Sequence, residues 1–64
     1  MTKNETRELQ RIALYIDHDM HDTAARGLSA MIRATLSRKT SFELMQYAIE
    51  SGLIFNENFL VAKA

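Results

Sequence analysis

Sixty-four residues, 47% apolar and 25% charged, with neither cysteine nor proline, describe one small domain with a single core. A chain of this length buries only roughly 60% of its unfolded surface, and its core supplies ~3 to 5 kcal/mol of net stability. Without cysteine, disulfides and thiolate zinc sites are excluded, so tight helix packing or self-association is the remaining source of stability, and a homodimer is expected. Eight basic residues balance eight acidic ones, so the chain has no overall field to draw in nucleic acid or a membrane surface.

The chain opens with Thr2 and, three residues on, Glu5, the spacing of a capping box. Leu9, Ile12, Ala13 and Ile16 follow at helical spacing, which predicts an amphipathic helix from Asn4 to Asp17 with Arg7, Glu8 and Arg11 in solvent. The run Asp17-His18-Asp19-Met20-His21-Asp22 reads as a short connection, with Asp19 or Asp22 capping the next helix. The two imidazoles sit three residues apart, a spacing that can ligate metal on a helix but not in a turn, so no metal site is expected.

A second helix is predicted from Thr23 to Ser37, with Ala24, Ala25, Leu28, Met31, Ile32 and Leu36 as its apolar positions and a central place in the fold. Gly27, Ala30 and Ala34 form a small-residue stripe that admits a close neighbour. Thr40 and Glu43 repeat the capping spacing, so a third helix is expected from Ser41 to Ser51, with Phe42, Met45, Ala48 and Ile49 as its apolar stripe and Gly52 as its left-handed terminus. The tail after Gly52 is too apolar to stay solvated and must dock, as a helical turn or as a strand. The fold class is all-α: a helical hairpin plus a third helix and an apolar C-terminal tail, residues 1–64 forming one domain.

No nucleophile elbow and no glycine-rich phosphate loop is present, and the serines fall in predicted helices or at their ends. Neither catalysis nor a cofactor is expected. Charge is uneven: Arg26, Arg33, Arg38 and Lys39 stand in a stretch without acids, whereas Glu43, Glu50 and Glu57 stand in one without bases. Arg7, Arg11, Arg26 and Arg33, with Tyr15 as aromatic anchor, are the candidate partner-binding residues. Leu28, Met31, Ile32, Phe55 and Phe59 are the candidate dimer interface. The competing function is a small dimeric DNA-binding repressor that reads DNA through a helix after Gly52, although residues 55–64 carry one Lys and no Arg. No apolar stretch approaches the ~18 residues of a membrane span, and with no export signal the expected location is the cytoplasm.

The run Glu8-Leu9-Gln10-Arg11-Ile12-Ala13-Leu14-Tyr15-Ile16-Asp17, followed by Asp22-Thr23-Ala24-Ala25-Arg26-Gly27-Leu28-Ser29-Ala30-Met31-Ile32-Arg33-Ala34, resembles small early-region proteins of Mu-like temperate phages, in particular the quorum-sensing anti-activators. The likeness spans residues 5–54 and is one of general pattern, so it carries no binding residue over. It implies a small helical dimer that binds and inhibits a host protein in the host cytoplasm, either a LuxR-type transcription activator or the type IV pilus assembly ATPase. Tyr15, Ala24 and Leu28 also resemble one tetratricopeptide hairpin, a unit that needs a neighbour to cover its open face.

Overall fold

The computed structural model describes residues 1–56 and 59–62, with the side chains of residues 1–53. Helix α1 spans Lys3–Asp17, α2 spans His21–Ala34 and α3 spans Arg38–Glu50; strands β1, Leu53–Asn56, and β2, Phe59–Ala62, follow. The three expected helices are present. The tail, open between helical turn and strand in the sequence, takes the strand form and adds a β-hairpin to the helical body.

The capping box at the start of α1 forms as its spacing predicts. Glu5 N–H donates to Thr2 Oγ1 at 3.1 Å, and Thr2 N–H donates to Glu5 Oε1 at 2.8 Å. At the other end, Met20 N–H donates to Tyr15 O at 2.7 Å and Asp19 N–H to Ile16 O at 3.0 Å, the paired bonds of a Schellman terminus, with Asp19 in the left-handed region at φ 62°. Neither Asp19 nor Asp22 caps α2. Its N-cap is Met20, which makes no side-chain bond, and Asp22 instead contributes its charge to the first turn.

Helix α2 stops at Ala34, short of the expected Ser37, because α3 begins three residues before the expected Ser41. Ser37 takes the cap, its Oγ accepting from Thr40 N–H at 3.1 Å, and this displaces Thr40 from capping into the helix. Leu36 is thereby left in the three-residue connection, 103% exposed rather than in the α2 stripe. Gly52, at φ 86°, ends the third helix as expected.

Helix α2 is central: α1 lies on one side of it, and α3 and β2 pack against it as well, while β1 runs beside α3. The hairpin is antiparallel, with Leu53 opposite Ala62 and Asn56 opposite Phe59, a register that leaves two residues between the strands. An isolated two-stranded hairpin is marginal in water, so its contact with α2 and α3 is what sustains it. The buried core is Ile12 from α1, Ala24, Ala25 and Leu28 from α2, Leu44 and Ala48 from α3, and Leu53.

In α3 the buried line is Thr40, Leu44 and Ala48, spaced by four. Of the expected stripe only Ala48 is buried; Met45 is half-buried, and Phe42 and Ile49 are 68% and 63% exposed. This helix has two apolar faces, and packing on α2 and β1 selects the narrower one.

Candidate functional site

The five candidate partner-binding residues come from two packed helices, Arg7, Arg11 and Tyr15 from α1 and Arg26 and Arg33 from α2. On α1, Arg7 and Arg11 lie about 140° and 100° round the helix from the buried Ile12, and on α2, Arg26 and Arg33 lie about 160° and 140° from the buried Leu28. All four are exposed, on the outer sides of two helices that meet by their inner sides. Arg11 Nη1 stands 3.5 Å from Glu8 Oε1, and Arg26 Nε donates to the Asp22 carbonyl at 3.5 Å. Tyr15 is half-buried and packs against the core, so it anchors α1 more than it projects from it.

The candidate dimer interface is corrected in its first member. Leu28 is 0% exposed inside a single chain, because α2 turns that side chain to the centre of the core, and no second copy can reach it. Met31 and Ile32 are half-buried against the same core. The side chains of Phe55 and Phe59 lie outside the described residues; their backbones belong to the hairpin, Phe55 opposite Leu60 and Phe59 opposite Asn56.

The helix proposed to read DNA is replaced by that hairpin. Residues 53–56 and 59–62 pair as strands, so among the described residues no recognition helix follows Gly52. His18 is exposed, and His21 Nδ1 lies 3.2 Å from Asp19 Oδ1 across the α1–α2 connection.

Two apolar clefts stand among the described residues. One, of about 490 Å³, lies where the start of α1 meets the α2–α3 connection. Its apolar walls are Met31, Ala34 and Leu36, and Glu5 and Glu8 line its α1 side. The backbone N–H of Thr2, followed by the Thr35 hydroxyl, holds the Glu5 carboxyl below its ordinary value of 4.5, so the group is charged near neutral pH. The signal in the sequence is Leu36, an apolar residue among Thr35, Ser37 and Arg38, which helical periodicity alone assigns to the α2 stripe because the helix end is set by its cap. The second cleft, of about 420 Å³, lies along the outer side of α3, on Phe42, Met45, Gln46, Ile49 and Glu50.

Among the described residues no helix is long and apolar enough to cross a membrane. No protein-family model, curated protein or solved structure matches the chain.

Proposed function

We propose that this chain is a non-catalytic interaction protein, homodimeric, that binds a host protein in the cytoplasm and blocks it sterically. The observation that carries this reading is the cleft at the start of α1, in which the fully exposed Leu36 stands beside Met31 and Ala34 with two carboxylates on the facing helix. An apolar wall with an acidic side suits a protein segment that offers one apolar anchor flanked by Lys or Arg. The Glu8–Arg11 pair is exposed and weak, so Glu8 is readily exchanged to an incoming cation.

Of the two partner classes that the phage resemblance implies, a LuxR-type transcription activator fits this cleft better than a motor ATPase. A DNA-binding protein must carry a basic surface where it meets phosphates, and an acidic cleft that covers that surface displaces DNA.

The test is isothermal calorimetry of the purified chain with a LuxR-type activator, alongside a DNA mobility shift of the activator. The expected result is a stoichiometric complex that releases the activator from DNA. Leu36→Asp and Glu8→Lys each weaken it about tenfold or more while melting unchanged, since both side chains are at the surface. No complex with the activator, or one indifferent to Leu36→Asp, overturns the proposal.

A further inference from the structure

We infer that the outer side of α3 binds a second copy of this chain, with the two α3 helices antiparallel. Phe42, Met45 and Ile49 are spaced three and four apart, the two-turn beginning of a seam between helices, and they line one cleft. A single chain leaves this seam uncovered, with Phe42 68% and Ile49 63% exposed, because α3 already spends Thr40, Leu44 and Ala48 on its own core.

Two charges beside the seam, Lys39 and Glu50, complement each other in a second copy. Lys39 and Glu50 are eleven residues apart, which puts them within about 20° of each other round the helix and roughly 16 Å apart along it. Among the described residues neither is in an ion pair. A two-fold axis that reverses one α3 against another keeps this flank beside the same flank of the second copy. It brings Lys39 of each copy to Glu50 of the other, and Phe42 of each toward Ile49 of the other, so one patch complements itself twice. A parallel arrangement leaves the two charges at different heights, and the antiparallel one also sets the helix dipoles in opposition.

This inference rests on the homodimeric part of the proposed function and relocates the interface from α2 and the tail to α3. It is independent of whether a host protein binds the other cleft.

The experiment is sedimentation equilibrium of the full chain over a wide concentration range, with circular dichroism of each variant. The expected result is a reversible monomer–dimer equilibrium. Phe42→Lys and Ile49→Lys each weaken it at least about thirtyfold with the helical spectrum retained, as expected for a central apolar anchor. Lys39→Glu and Glu50→Lys each weaken it about tenfold, and the two together restore it. A chain monomeric at every concentration overturns both the homodimer and this interface. A dimer unmoved by Phe42→Lys and Ile49→Lys overturns the interface alone, and failure of the double charge swap to restore affinity overturns the antiparallel arrangement.

Discussion

Gly27 lies directly against Ile12: a methyl group built on Gly27 would stand 3.2 Å from both Cγ1 and Cδ1 of the isoleucine. That contact is tighter than ordinary van der Waals packing, and Ile12, only 2% exposed, is itself part of the core. Gly27 therefore lets α2 pack closely on Ile12 of α1, at a cost in helix propensity.

Gly27→Ala tests this balance between two terms of opposite sign. Alanine improves helix propensity by about 1 kcal/mol, whereas overpacking a filled core loses ~1 to 3 kcal/mol. The net expectation is a loss of about 1 kcal/mol in urea denaturation. Removing Cδ1 through Ile12→Val loses ~0.5 to 1.5 kcal/mol in the native background. In the Gly27→Ala background the same change costs less, because it removes one of the two clashing atoms. Additive losses in the double-mutant cycle would show that the two residues do not share this contact.

Asp19 holds the left-handed position of the α1 terminus at φ 62°. Aspartate tolerates that conformation better than most residues, and a β-branched side chain does not. Asp19→Val is expected to lower stability by ~1 to 2 kcal/mol, while Asp19→Gly stays within about 0.5 kcal/mol of the parent, since the exposed Asp19–His21 contact it removes is worth little. Equal effects of valine and glycine on the melting temperature would remove the backbone explanation.

The successes and errors of the sequence reading separate by range. Thr2 and Glu5, or Gly52, act through bonds within a few residues, and their spacing declares them. Ser37 and Thr40 are both acceptable caps, and only the packing of α3 decides between them, burying Thr40. The same holds for the side of α3 that faces inward: Phe42, Met45 and Ile49 form the larger apolar stripe, yet Leu44 is the residue in the core. Periodicity identifies a helix with apolar faces, and tertiary contacts choose which face is covered. The cleft at Leu36 was illegible for a related reason, since it exists only where two segments distant in sequence meet.

The start of α1 should respond to acid through Glu5. Its pKa is depressed in the folded chain, first by the Thr2 backbone N–H and then by the Thr35 hydroxyl. The contribution of a depressed carboxyl is therefore complete above the unfolded value and lost as pH falls through the folded one, here below 4.5. The amide proton of Thr2, which donates to Glu5 Oε1, is expected to shift in NMR spectra over that acid range. Glu5→Gln keeps an acceptor in the capping box and should abolish the titration. A Thr2 amide that moves identically in Glu5→Gln would assign the acid response to another group.

Leu28 separates the core from the interface most sharply. At 0% exposure it touches the centre of the chain, where α1, α2 and α3 meet, and its truncation leaves a cavity that rigid helices fill only in part. Leu28→Ala is expected to lose ~2 to 5 kcal/mol, comparable with the ~3 to 5 kcal/mol that a core of this size supplies. The variant should therefore lose much of its helical signal and its cooperative thermal transition at room temperature. A residue at the contact between copies behaves otherwise: its removal leaves the helices of the separate chain intact and changes only how tightly two chains associate. A Leu28→Ala protein that keeps the parent's helical spectrum while dissociating on dilution would return Leu28 to the dimer interface, and Phe42→Lys, with the opposite expectation, is its control.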